Sequence, residues 1–235
     1  EFRRVLFRSV LPRHETPVVA VRAAFLGGLL AEDEANAGLT SFLTSMWLRG
    51  TLTRSNADFA RSVESLAAEI EGFSGRNSLG LSLDCLADRL DPALDLYGEA
   101  LLEPAFAAEE IEKERRETLA ALERREDRLG ARVFDLFQET LYGSHPYRFP
   151  VIGTAESVVR FDAESVAAHH RRLVHAPNLV LSAVGAVDPD AIAAALGARL
   201  ADLPTGPFAP PEVAPFTAPA RSEEHTSELQ SQFRI

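Results

Sequence analysis

From residue 38 to about residue 70 the apolar residues of this chain recur at helical spacing, and then the spacing changes to every second position. Leu79, Leu81, Leu83 and Cys85 alternate with Gly80, Ser82 and Asp84, which defines a strand with one buried face. Before it, Leu39, Phe42, Leu43, Met46 and Trp47 share one face of a helix over 38–48, with Gly50 as its stop. A second helix opens at Ser55, three residues ahead of Asp58, and its stripe is Phe59, Val63, Leu66 and Ile70. A one-faced strand among amphipathic helices requires a sheet with helices laid against its covered side. The expected class is therefore α+β.

The rest of the chain fits that frame. The run from Pro17 to Gly28 is rich in valine and alanine and closes on glycines, so it reads as a strand. A short helix follows Pro92 and ends before Glu103-Pro104, because the residue ahead of a proline is pushed out of helical geometry. A long charged helix starts near Glu109, with i,i+4 pairs Glu109–Lys113 and Glu112–Arg116. Leu119, Leu122, Leu129, Val133, Phe137 and Leu141 extend it as one buried stripe that Gly143 stops. A loop at His145-Pro146-Tyr147, a helix over 163–173, a strand over 179–184 and a helix over 189–201 complete the unit.

Four segments are expected. Residues 10–203 form the domain, and the prolines of 204–220 form an extended linker toward a second domain. Residues 1–9 and 221–235 resemble translated sequencing-adapter DNA, since Arg-Val-Leu-Phe-Arg-Ser and Arg-Ser-Glu-Glu-His-Thr can be encoded by reverse-complementary stretches. They are read as non-native ends. The 235-residue chain has a net charge of -11, too acidic to hold a phosphate backbone, so nucleic acid is excluded as an expected partner. No uncharged apolar run approaches the roughly 20 residues of a membrane span. A single cysteine, Cys85, allows neither an internal disulfide nor a cysteine-rich metal site.

Three side chains at i, i+3 and i+4 of a helix face the same way, the spacing by which His-x-x-Glu-His motifs present two metal ligands and a base. In this chain those slots are Ser41, Thr44 and Ser45. The surrounding Gly38-Leu39-Thr40-Ser41-Phe42-Leu43-Thr44-Ser45-Met46, with Gly50-Thr51 after it, resembles the motif helix of the insulinase-like, or pitrilysin-type, zinc metallopeptidases. Pro104-x-Phe106, Glu110 to Arg115, Leu141-Tyr142-Gly143-x-His145-Pro146-Tyr147 and Asn178-Leu179-Val180 extend the resemblance along the chain, and it implies an α+β fold with a mixed, mainly antiparallel sheet and helices packed on one face.

The resemblance implies that serines stand where the family has histidine ligands, Thr44 where it has the glutamate base, and Ala121 where it has the third ligand, seven residues beyond a matching Glu114. Hydroxyls are poor zinc ligands and threonine is no carboxylate base. The expected metal site of this chain is therefore none, and the reading is a non-catalytic homologue of a peptidase. Zinc is expected only in a zinc-bearing paralogous partner subunit, the two chains together enclosing a chamber for extended peptides. The family resemblance also places a peptide-binding edge strand at Gly72, Phe73 and Ser74, although the glycines suit a simple hairpin equally well. Two other functions stay open: a structural or assembly subunit, and an active zinc metalloendopeptidase. Ser41 and Ser45 lie in no nucleophile elbow; His169, His170 and His175 read as surface or capping residues, and His145 as part of a structural turn. The compartment, bacterial periplasm or cytoplasm, is not decided by these residues.

Overall fold

The computed structural model describes residues 7–212. Five strands, β1 (Phe7–Pro12), β2 (Val18–Leu26), β3 (Glu69–Ser74), β4 (Ser78–Leu86) and β5 (Leu179–Gly185), form one sheet in the order β1-β5-β2-β4-β3. The pair β1–β5 is parallel and the other three pairs are antiparallel, so the sheet is mixed and mainly antiparallel as expected. Around it run α1 (Leu39–Met46), α2 (Asn56–Ser65), α3 (Leu90–Leu102), α4 (Ala108–Glu126), α5 (Leu129–Tyr142), α6 (Ala155–Val158), α7 (Ala163–Leu173) and α8 (Pro189–Arg199).

One face of the sheet carries the core. Val19, Val21, Ala23 and Phe25 of β2 meet Leu79, Leu81, Leu83 and Cys85 of β4 and Leu179, Leu181 and Ala183 of β5, and all are buried. Tyr97 of α3 crosses this layer and donates its hydroxyl to the Leu81 carbonyl at 2.8 Å. On the opposite face Val18, Leu26, Leu86 and Val184 remain 37–42% exposed, so the helices cover one side only. Among the described residues no helix is long and apolar enough to cross a membrane.

Four details differ from the sequence reading. Ile70 belongs to β3 and not to the second helix: that helix stops at Ser65, and Ala67 turns the chain in a left-handed conformation, φ 49°. The long charged helix is two, α4 and α5, parted at Asp127-Arg128. The α5 stripe faces outward, with Leu129 83%, Val133 68% and Phe137 54% exposed. The acids of α4 bind Arg49 and Arg115 in place of the expected i,i+4 partners.

At the ends, β1 begins at Phe7, so its first three residues come from the segment read as lying outside the fold. Main-chain pairing asks little of side-chain identity, and this stretch joins the sheet edge through its backbone. The first part of the Pro-rich segment lies along the body: Pro204 accepts from the Ala176 amide at 2.9 Å, and Phe208 packs against the core. Residues 213–220 of that segment, and 221–235, lie outside the described residues.

Candidate functional site

The site is built on α1, whose N-terminus is held by a carboxylate the sequence reading overlooked. The first amides of a helix have no intrahelical acceptor. Glu32, 6% exposed, accepts from the amides of Gly38 and Thr40, both at 2.7 Å. Its negative charge also sits where a helix dipole favours it. Burial outweighs these bonds and raises the Glu32 carboxyl above the usual range. An acid six and eight residues ahead of its amide donors leaves no short-range motif, so only the fold reveals it.

A buried relay holds the other side of α1. Arg172 donates to His169 Nδ1 at 3.2 Å, and since a guanidinium can only donate, the proton of His169 resides on Nε2. Nε2 therefore donates to Thr40 Oγ1 at 2.9 Å, and Thr40 donates to the Gly28 carbonyl at 3.4 Å. Burial, aided by the Arg172 charge, lowers the His169 pKa to about 3. His170 donates through Nε2 to the Leu101 carbonyl at 3.0 Å and meets Trp47 and Phe106 edge to face. Its pKa is lowered to about 4, again chiefly by burial. The sequence reading places both histidines at the surface or in a cap; instead both are buried between α1, α3 and the body of the domain and are neutral structural groups.

The structure brings Ser41, Ser45 and Ala121 together. They line one cavity of about 170 Å³ with Phe42, Glu114, Glu117, Thr118 and Ile152. Ser41 is half-buried and Ser45 exposed, whereas Thr44 is buried and its hydroxyl donates to the Ser41 carbonyl at 2.9 Å. That bond occupies Thr44 within its own helix turn. The acids beside the cavity are engaged by a cation: Arg49 donates to Glu114, to Glu117 at 2.6 Å and to Glu110 at 3.4 Å. The hydrogen bond from Arg49 holds the Glu117 carboxyl below its ordinary range.

Zinc sites take imidazole, thiolate or carboxylate. Positions 41, 45 and 121 offer two neutral hydroxyls and a methyl, and the neighbouring carboxylates are bound to Arg49. The residues present do not fit the metal. Among the described residues no group of three or more His, Cys, Asp or Glu is placed to hold one. Cys85 is buried in the sheet, and burial with Asp84 and Asp88 nearby pushes its thiol up to about 11, which removes it as a nucleophile at neutral pH.

Strand β3 forms an edge of the sheet and lies against α1: a Cβ at Gly72 would stand 2.5 Å from the Thr44 carbonyl oxygen. The Gly75 amide donates to the Ser78 carbonyl at 2.9 Å, which fixes the phase of the β3–β4 ladder. Hydrogen-bonded and non-hydrogen-bonded pairs alternate, so Phe73 and Gly80 are bonded to each other while the main-chain groups of Gly72 and Ser74 turn to the open edge. A second opening of about 690 Å³ shares Ser41, Ala121 and Ile152 with the first cavity. Ser74 stands on one side of it, and Arg76, Arg124, Arg125 and Arg128 are among its walls.

A mixed sheet covered on one face by helices, with Ser41, Ser45 and Ala121 meeting at one cavity between α1 and α4, defines a half-domain of the metallopeptidase type. The chain belongs to the family described as Insulinase (Peptidase family M16), whose profile matches residues 8–155. It is 31% identical over 180 residues to an uncharacterized zinc protease of Mycobacterium bovis, covering 74% of this chain and 41% of that protein. It is 26% identical over 161 residues to the mitochondrial-processing peptidase subunit beta of Caenorhabditis elegans, 68% of this chain and 35% of that one. The chain thus spans about two fifths of the curated relatives it matches. Among solved structures, a peptidase M16 inactive domain from Pseudomonas fluorescens superposes with a TM-score of 0.84 at 24% identity, over 93% of this chain and 52% of that chain. The periplasmic protease PqqL from Escherichia coli gives 0.79 at 17%, over 95% and 25%.

Proposed function

We propose that this chain is the non-catalytic half of an insulinase-family peptidase assembly, contributing one wall of a peptide-enclosing chamber while a zinc-bearing partner performs hydrolysis. One observation supports the reading: Ser41, Ser45 and Ala121, which the resemblance sets at the family's ligand positions, line a single cavity and bring it no imidazole, thiolate or carboxylate. Serine, serine and alanine cannot replace two imidazoles and a carboxylate, and Thr44 has neither the charge nor the freedom to accept a proton from water.

The scaffold around that cavity is intact, which supports a retained role in peptide contact. The edge of β3 presents the outward main-chain groups of Gly72 and Ser74, and an extended peptide adds to such an edge by backbone pairing. The partly exposed apolar residues on the open face of the sheet, Val18, Leu26, Leu86 and Val184, suit coverage by a second domain.

The test is metal analysis and peptide hydrolysis on the purified chain, alone and mixed with a zinc-bearing homologue from the same genome. The expected result is no stoichiometric zinc and no cleavage alone, with cleavage when the homologue is added. Stoichiometric zinc at α1, or cleavage by the chain alone that chelators abolish, would instead identify an active metalloendopeptidase. Absence of any effect on the homologue's cleavage would favour a purely structural subunit.

A further inference from the structure

In a chain of net charge -11, the groove beside the degenerate cavity is lined by four arginines and no acid. Two of the four are engaged. Arg125 forms a paired bond with Asp135, at 3.1 and 2.6 Å. Arg76 donates to the Tyr142 hydroxyl at 3.1 Å and lies over the Tyr142 and Tyr147 rings. The other two, Arg124 in the last turn of α4 and Arg128 at the α4–α5 break, are exposed and make no ion pair among the described residues. Both guanidiniums line the same groove, and an anion bound there relieves the repulsion between like charges.

The position of the groove specifies the anion. Its walls include Ser74, the last residue of β3, so a peptide paired to the outward groups of Gly72 and Ser74 would run on into the space in front of Arg124 and Arg128. Along a paired strand every second side chain points the same way. Arginine binds a carboxylate through two parallel N–H donors, a match of shape as well as of charge. Phe134 and Val151 add apolar surface to the same groove. A bare polyanion would leave that apolar surface and the open strand edge unused.

We infer that the groove formed by Arg124, Arg128 and the end of β3 selects peptides carrying an acidic residue just beyond the segment paired to Gly72 and Ser74. This rests on the peptide-contact reading given above and names the substrate class that reading leaves open. Selection would be electrostatic at the rim, so it weakens as salt rises, whereas backbone pairing to β3 does not.

The experiment is fluorescence anisotropy with the full chain and three labelled decapeptides: one with alternating glutamates, its glutamine isostere, and a lysine counterpart. A single-stranded oligonucleotide of equal charge to the acidic peptide serves as a fourth probe. The acidic peptide is expected to bind at least tenfold more tightly than the glutamine peptide at low salt, with the lysine peptide weakest and the oligonucleotide no better than glutamine. In the double variant Arg124→Ala, Arg128→Ala the acidic peptide should fall to the glutamine level, with glutamine binding unchanged. Both positions are exposed, so folding is not at issue. Equal binding of the acidic and glutamine peptides, or equal loss of both in the variant, would overturn the arginine selection and leave the peptide-contact reading standing. Oligonucleotide binding as tight as that of the acidic peptide would overturn it in favour of a general polyanion site. Binding of none of the probes would sink both together.

Discussion

A Cβ added to Gly72 would meet the carbonyl oxygen of Thr44 at 2.5 Å, so the edge strand and the motif helix touch backbone to backbone. No side chain larger than hydrogen fits between them. Position 72 therefore governs how near a peptide on β3 could come to the cavity lined by Ser41 and Ser45.

Gly72→Ala is expected to push β3 and α1 apart. Overpacking of this kind costs about 1–3 kcal/mol, and urea denaturation should show that loss. An alanine variant as stable as the parent would mean that the two backbones separate freely.

Glu32 is the next test, because it serves two buried amides at once. Glu32→Ala strands both donors and should destabilise the chain by about 1–3 kcal/mol for each amide left bare. Glu32→Gln keeps one acceptor oxygen and should lose about half as much. Thermal melts of the two variants, compared at neutral pH, check the order.

Stability should also depend on pH through the buried histidines. A histidine whose folded pKa lies below its unfolded 6.5 binds fewer protons in the native state than in the unfolded one. Its stabilising contribution is present above pH 6.5 and is lost as pH falls toward the folded value, about 4 for His170 and about 3 for His169. Each histidine contributes a slope of about 1.4 kcal/mol per pH unit inside that window. The raised carboxyl of Glu32 acts in the opposite sense above its ordinary value of 4.5, so the clean measurement is a difference. Between pH 6 and 5, His170→Phe should unfold with a pH slope smaller than the parent's by about one proton.

Restoring the family ligands tests the alignment of α1 with α4. Ser41→His, Thr44→Glu, Ser45→His and Ala121→Glu together should yield one zinc per chain after dialysis, since positions 41, 45 and 121 already share a cavity. The single change Ala121→Glu should bind none. Failure of the fourfold variant to bind zinc while remaining folded would mean that the cavity does not superpose on the family's metal site.

Much of this architecture was legible in the sequence. The alternation of Leu79, Leu81, Leu83 and Cys85 gave β4 and its buried face, and Ser55 does cap α2 by accepting from the Asp58 amide. The helix over 163–173 falls where its spacing puts it. What escaped was of another physical kind. The periodicity of Leu129, Val133 and Phe137 is genuine, but a stripe does not reveal which way it points, and here it points to solvent. Ile70 continues a helical spacing by coincidence and is claimed by the sheet once Ala67 turns the chain. Arg49 and Glu32 act over distances at which sequence carries no spacing rule.

The motif helix is fastened from its covered sides: Glu32 at its first amides, the His169–Thr40 bond beneath it, and Trp47 buried just past its end. None of these fastenings passes through Ser41, Ser45 or position 121. The face of this helix that meets the cavity and the contacts that anchor it are independent, so side chains at positions 41, 45 and 121 can be exchanged without loosening the helix.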